Sequence, residues 1–233
     1  MGTTLREIVF EIGGGIKNGK KFKGVQTGGP SGGILTEKSL DLQIDFDTLT
    51  ANGSMMGSGG MIVMDEDDCV VDVARFYMEF CVEESCGKCS PCRIGTTQLL
   101  KLLEKITGGN GEHEDIEKLE TISAAMAKAS LCALGQTAPN PILSTIVNFR
   151  DEYIDHITDK KCRAKKCKKL LRFIIDLDKW VGCGMCVKKC PAECITQVLG
   201  TDKKKPPYKI EQEKCLKCGE CFNACKFKAI SKA

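Results

Sequence analysis

Eleven of the sixteen cysteines in this 233-residue chain fall into three groups whose spacing suits iron-sulfur chemistry. Cys86, Cys89 and Cys92 form a C-x2-C-x2-C run, with Cys132 available further along. Cys183, Cys186 and Cys190 form a second group, and Cys215, Cys218, Cys221 and Cys225 a third, C-x2-C-x2-C-x3-C. In that last pattern three thiolates wrap one face of a cubane while the fourth reaches a neighbouring cluster. Such centres transfer electrons and need no acid, base or nucleophile from the protein, so no catalytic residue is assigned.

Crossed ligation pairs Cys190 with Cys215, Cys218 and Cys221 around one [4Fe-4S] site. Cys183, Cys186 and Cys225 then serve a second site, whose remaining ligand falls at position 180, occupied by Trp180. Tryptophan offers no ligating atom. Three outcomes follow: a [3Fe-4S] cluster, a labile [4Fe-4S] cluster with a non-cysteine ligand, or no cluster. Cys194 lies about one helical turn beyond Cys190, nearer the complete site, and reads as a free thiol packed as a small hydrophobe.

A fourth constellation is less regular. Cys162 and Cys167 form a C-x4-C pair shortly after His156, and with Cys69 they make three thiolates and one imidazole, a donor set that suits zinc. Its task would be structural: tying the start of a helical region to its exit and fixing the angle of the cysteine-rich tail. The competing reading is a solvent-facing histidine beside Asp155 and cysteines that bind nothing. Cys86, Cys89, Cys92 and Cys132 also admit a four-cysteine zinc site, since spacing alone does not separate iron from zinc. Cys81 reads as core.

Composition narrows the setting. Cysteine-rich C-x2-C patterns without an apolar leader behind Met1 point to a reducing cytoplasm and metal rather than to disulfides. No apolar run approaches the roughly 20 residues that cross a bilayer, so no direct membrane insertion is expected. The net charge of +3 hides a basic run at Lys160, Lys161, Arg163, Lys165, Lys166, Lys168, Lys169 and Arg172. Without interleaved aromatics this reads as a solvated linker or a docking face for an acidic redox partner, not as a nucleic-acid site.

These ligands must be positioned by helices and strands. Leu40, Leu42, Ile44 and Phe46 alternate with polar residues, which predicts a half-buried strand, and the first fifty residues look β-rich. The clusters Gly13 to Gly15 and Gly28 to Gly33 match no phosphate-loop pattern and read as turns. Helical spacing then takes over: Val70, Val73, Ala74, Tyr77 and Met78; Leu99, Leu100, Leu103 and Ile106; Ile116, Leu119, Ile122 and Met126. Asn140 before Pro141 is expected to cap a further helix burying Ile142, Ile146, Phe149 and Tyr153. The expected fold class is multidomain α+β: residues 1–60 β-rich, 61–158 a bundle of about four helices holding a [4Fe-4S] cluster, 159–173 a basic linker, and 174–233 a two-cluster ferredoxin domain.

The wording of the first cluster goes further than its spacing. Glu84-Ser85-Cys86-Gly87-Lys88-Cys89-Ser90-Pro91-Cys92-Arg93-Ile94-Gly95, followed by Ser130-Leu131-Cys132-Ala133-Leu134-Gly135, resembles the NADH-binding flavoprotein subunit of respiratory complex I. The likeness extends through Gln26 to Gly33 and Gly57 to Gly60, and it implies that the early region is β-grasp-like. The appended ferredoxin tail resembles the version in soluble NAD-linked and electron-bifurcating [FeFe] hydrogenases, where a cysteine pair between bundle and ferredoxin domain also occurs.

The resemblance implies an iron-sulfur electron-transfer portion of an NAD(P)H-linked oxidoreductase, the C-terminal portion of a longer subunit, working with other subunits of a hydrogenase or NADH dehydrogenase-type complex. It implies that FMN and NAD are bound by a region expected before residue 1 or by a partner, so that this chain alone does not oxidise NADH. Two alternatives stand beside it: a zinc-stapled protein- or nucleic-acid-interaction module, and a redox partner of formate dehydrogenase type.

Overall fold

The computed structural model describes residues 2–198 and 208–233. It divides into two compact units, Met1–Cys167 and Lys168–Ala233. The boundary falls inside the 159–173 stretch expected to be a linker. Cys162 and Cys167 are buried in the first unit, and Phe173 is core of the second.

The first unit opens with a three-stranded antiparallel sheet in the order β2-β1-β3, formed by β1 (Phe22–Thr27), β2 (Ile34–Leu35) and β3 (Met61–Asp65). Residues 28–33 turn between β1 and β2, as the glycine pattern predicts. At Gly28, where φ is +83°, a Cβ would also come within 2.1 Å of the Met55 side chain. The sheet therefore extends to Asp65, beyond the boundary expected at residue 60.

The strand expected from Leu40 to Phe46 does not form. Asp45 instead accepts a hydrogen bond from the Thr48 backbone N–H and caps α1 (Phe46–Ala51). Leu40 and Ile44 still face the core with Leu5, Val25, Leu35 and Leu49, but only Gln43 makes a bridge, to Thr4. Leu42 is only half-buried and Phe46 is exposed, so alternation marked two of its four positions as core and the cap decided the backbone.

Four long helices follow: α2 (Val70–Glu84), α3 (Ser90–Thr107), α4 (His113–Ala129) and, after the short α5 (Ala133–Thr137), α6 (Asn140–Ile154). Their buried faces carry Val70, Ala74, Tyr77, Met78 and Cys81; Leu99, Leu103 and Ile106; Ile116, Leu119 and Met126; and Ile142, Ile146 and Tyr153. This is the period-3.6 pattern of the sequence, with Val73, Leu100, Ile122 and Phe149 only half-buried. Asn140 is the first residue of α6 rather than its cap, and its side-chain amide donates to the Ser31 carbonyl. One turn later the Ser144 hydroxyl accepts the Ile34 backbone N–H at 2.9 Å, so α6 is stitched along β2.

Strand and helix are also joined by a buried ion pair that the sequence did not signal. Lys23 on β1 reaches Glu152 on α6 at 2.6 Å, with side chains only 11% and 5% exposed. The same ammonium donates to the Asp68 carbonyl. Beyond Ile154 the helix widens into a π-type turn, Asp155–Asp159, which ends at Lys160 in the left-handed region. Such wide turns often sit at functional positions.

The second unit is small. It pairs β4 (Phe173–Ile175) with β7 (Ile230–Lys232) and β5 (Ile195–Gln197) with β6 (Tyr208–Ile210), both antiparallel, and adds two short helices, α7 (Met185–Lys188) and α8 (Glu220–Ala224). Its core is Phe173, Ile195 and Ile230 together with cysteines 186, 194 and 221. Without a large apolar core, such a unit depends on cross-links. Among the described residues no helix is long and apolar enough to cross a membrane.

Candidate metal centres

The Cys86 run lies where α2 ends and α3 begins. Gly87 turns the chain at φ +72°, Pro91 occupies the first turn of α3, and the Arg93 guanidinium donates to the Gly87 carbonyl. Cys86 and Cys132 are exposed, Cys89 is half-buried and Cys92 is buried. The Ser85 hydroxyl lies 3.4 Å from the Cys92 sulfur.

Cys132 caps α5 from a turn that folds back against the run. Gly135 makes this approach possible: a Cβ there would sit 2.7 Å from the Ser130 side chain and 3.0 Å from the Cys92 Cβ. The backbone N–H of Leu131, then that of Cys92, hydrogen-bonds the Cys89 sulfur and holds that thiol below the usual range. N–H groups at the start of α3 favour a thiolate in this way. The 130–135 turn thus packs against the run at Cys89 and Cys92, and Cys86 and Cys132 are open to the surface.

In the second unit neighbouring thiols act on one another. Burial pushes Cys221 up to about 11, and Cys215, Cys190 and Cys218 add to the shift. Burial likewise raises Cys186, with contributions from Cys183 and Cys225. Cys225 lines one recess together with Cys183 and Cys186. Gly184 and Gly219, both at φ above +60°, are the N-cap residues of α7 and α8.

Cys194 stands 3.5 Å from Cys190, sulfur to sulfur. Burial and the neighbouring Cys190 push Cys194 up to about 12. Although burial opposes it, backbone hydrogen bonds from Cys194, Ala192 and Glu193 hold Cys190 low. Of this pair, Cys190 has the character of a ligand and Cys194 that of a thiol.

The remaining constellation is brought together completely. Cys69, His156, Cys162 and Cys167 are 2%, 0%, 3% and 5% exposed, and their donor atoms all lie within 4.8 Å of one another. The Cys69 and Cys167 sulfurs are 3.7 Å apart, and His156 Nε2 lies 3.3 Å from one and 3.4 Å from the other. Tetrahedral zinc with Zn–S near 2.3 Å and Zn–N near 2.0 Å requires about 3.8 Å between sulfurs and about 3.5 Å between sulfur and nitrogen. The donor set fits that ion.

The histidine is also oriented for it. His156 Nδ1 lies 2.7 Å from the Glu152 carbonyl, which only accepts, so Nδ1 carries the proton and Nε2 presents its lone pair to the sulfurs. Without a cation the four groups conflict. Burial lowers His156, but hydrogen bonds to Cys162 and Cys69 outweigh it and raise the imidazole to about 10. The neighbouring sulfurs drive Cys162 toward the thiolate and Cys167 toward the thiol. Sequence spacing supplied the members of this set, and the fold supplied the meeting of Cys69 with a pair more than ninety residues away.

Comparison with known proteins bears on the same segments. Residues 72–156 match the NADH-ubiquinone oxidoreductase-F iron-sulfur binding region, and residues 180–229 match a 4Fe-4S dicluster domain. The chain is 53% identical over 232 residues to the NADP-reducing hydrogenase subunit HndC of Solidesulfovibrio fructosivorans, an alignment covering 100% of this chain and 46% of that protein. It is 43% identical over 162 residues to a subunit of the NADH-quinone oxidoreductase of Mycobacterium bovis, covering 70% of this chain and 36% of that one.

Among solved structures, an NAD+-reducing [NiFe]-hydrogenase in the H2-reduced state is similar with a TM-score of 0.59 and 30% identity, covering 67% of this chain and 26% of that chain. The chain spans less than half the length of these curated relatives. These matches give no support to an interaction module stapled by zinc alone, nor to a formate dehydrogenase-type relative. With an iron-sulfur binding region followed by a dicluster domain, the chain carries two iron-sulfur segments in series and is similar to subunits of both hydrogenase and quinone oxidoreductase type.

Proposed function

We propose that this chain is the iron-sulfur electron-transfer portion of an NAD(P)H-linked oxidoreductase complex of hydrogenase or NADH dehydrogenase type. Cys86, Cys89, Cys92 and Cys132 hold one [4Fe-4S] cluster, Cys190, Cys215, Cys218 and Cys221 hold another, and Cys183, Cys186 and Cys225 form a third, altered site. Electrons pass between a flavin held outside these residues, the first cluster and the tail clusters. FMN and NAD are bound elsewhere in the assembly, other subunits are its partners, and the cytoplasm is its compartment. In this reading residues 1–60 are a β-grasp-like domain beside the 61–158 bundle, and 174–233 are a bacterial-type ferredoxin domain.

What supports the reading is the match of residues 72–156 and 180–229 to iron-sulfur families, the two segments that carry the three cysteine runs. The clusters supply the redox chemistry when bound. The residues around them set ligand character: the Leu131 and Cys92 N–H groups favour thiolate at Cys89, and burial of Cys92, Cys186 and Cys221 excludes water from one side of each site. Hydrogen bonds to sulfur and exposure are the protein's means of tuning potential.

Cys69, His156, Cys162 and Cys167 form in this proposal a structural zinc site. It closes the last residues of the first unit onto the start of α2 and the end of α6, leaving no open coordination position. Anaerobic reconstitution followed by iron, sulfide and zinc analysis tests both assignments. About eight or more irons with one zinc per chain, and electron paramagnetic resonance after dithionite reduction, are expected. A colourless protein holding zinc and little iron would remove the electron-transfer reading.

A further inference from the structure

The altered tail site has an unusual wall. Trp180 occupies the position three residues before Cys183, and its ring packs 5.4 Å from that of Tyr208 at an interplanar angle of 53°. Its indole Nε1 is buried and has no hydrogen-bond partner among the described residues. The recess it shares with Cys183, Cys186 and Cys225 is lined by Val181, Met185, Phe227 and Ala229. None of these four side chains carries an oxygen or nitrogen donor.

Two chemical consequences follow. A four-iron cubane here would have one iron without a protein ligand, since none of the other side chains that line the recess can ligate it. Meanwhile a buried N–H with no acceptor is unfavourable. A cubane lacking that corner removes both difficulties. It takes three thiolates, and the sulfides around the empty corner bridge only two irons each, which leaves them anionic and open to a donor. At Cys225 the sulfur already accepts the Ala229 backbone N–H at 3.3 Å, so the donor side of the site is partly built.

Resting on the iron-sulfur reading of the tail, we propose that Cys183, Cys186 and Cys225 bind a [3Fe-4S] cluster whose open corner faces the Trp180 indole, with Nε1–H donating to a corner sulfide. The indole fills the place of the fourth thiolate and excludes a fourth iron. The two tail centres are then unlike. The Cys190, Cys215, Cys218 and Cys221 site is an ordinary four-iron centre, while its neighbour differs in nuclearity and charge, two of the determinants of potential.

The test uses the full chain, reconstituted anaerobically and then incubated with excess ferrous iron and dithionite before reoxidation by a mild oxidant. Oxidised [4Fe-4S] centres are silent in electron paramagnetic resonance, whereas an oxidised three-iron centre gives a near-isotropic signal without reductant. Wild-type protein is expected to keep that signal at about one spin per chain through the iron treatment, with about eleven irons. Trp180→Cys should lose the signal and gain about one iron. Trp180→Phe, which keeps the ring and removes the donor, should keep the signal with a midpoint shifted to lower potential.

Conversion of the wild-type site to a silent four-iron centre by ferrous iron would overturn the proposal, as would about eight irons and no signal. Iron confined to the Cys86 set, with none in the tail of either wild type or Trp180→Cys, would instead sink the broader assignment of the tail.

Discussion

Two thiol constellations in the first unit are built from similar parts and differ in closure. Cys69, His156, Cys162 and Cys167 are all buried at distances set for one ion, whereas in the Cys86, Cys89, Cys92 and Cys132 set the first and last cysteines are exposed. A structural ion is best enclosed, because its contribution is to the free energy of folding. A centre that exchanges electrons needs an edge that a partner approaches. Burial therefore separates two sites that cysteine content alone would class together.

The largest effect should come from opening the closed site. Cys162→Ser with Cys167→Ser is expected to abolish bound zinc and to leave Cys69 and His156 buried without their ion. Removing partners from buried ionic groups costs about 3–5 kcal/mol, which in a unit of this size lowers Tm by on the order of 10 °C. Zinc analysis and thermal unfolding check this, with iron in the Cys86 set as the internal control. Stoichiometric zinc in the double variant would show that the ion sits elsewhere.

Next is the scaffold behind that site. Lys23 neutralises Glu152 and holds the Asp68 carbonyl, so it supports both the residue before Cys69 and the turn whose carbonyl orients His156. Lys23→Met keeps most of the volume and strands a buried carboxylate, at a cost of about 3 kcal/mol. Denaturant unfolding should show that loss, and zinc should remain stoichiometric but leave faster to a chelator. Unchanged release would mean that the ion pair only joins sheet to helix.

Cys132→Ser sharpens the contrast from the other side. Cys132 is exposed and stands on a short turn, so its loss should remove about four irons while shifting stability by only about 1 kcal/mol. Zinc should be untouched. Iron content that survives would return the first run to a three-cysteine site and separate Cys132 from it.

How much of this could be read before the fold was known differs between the two regions. The cluster runs are local, and a loop of C-x2-C-x2-C states its own geometry, as do the helices whose buried residues recur every three or four positions. What failed was the strand at Leu40 to Phe46: alternation marked Leu40 and Ile44 as core, but Phe46 is exposed, and the Asp45 cap starts a helix there. The Lys23–Glu152 pair left no trace, since a lysine in a strand ordinarily points to water. Placing Cys69 against Cys167 required the packing of α2 on α6, which no spacing rule encodes. The expected 159–173 linker shows the same limit: its charges suggest a solvated tether, yet Arg163 is paired with Asp151 and Asp155, and Cys162 and Cys167 are core.

The smallest expected effect distinguishes a ligand from a bystander in the second unit. At 3.5 Å, the Cys190 and Cys194 sulfurs are close enough to share one metal atom and too close to serve two corners of a cubane, so only one of them ligates at a time. Crossed ligation by the regular run gives the iron to Cys190, and Cys194 is the more buried of the two. Cys194→Ala is therefore expected to leave iron content and the dithionite-reduced spectrum unchanged, and to cost about 1 kcal/mol for the small cavity left by a buried thiol. A loss of about four irons in that variant, with Cys190→Ala retaining them, would exchange the two roles. It would also mean that a residue four positions along, rather than the regular run, supplies the crossing ligand of the complete tail cluster.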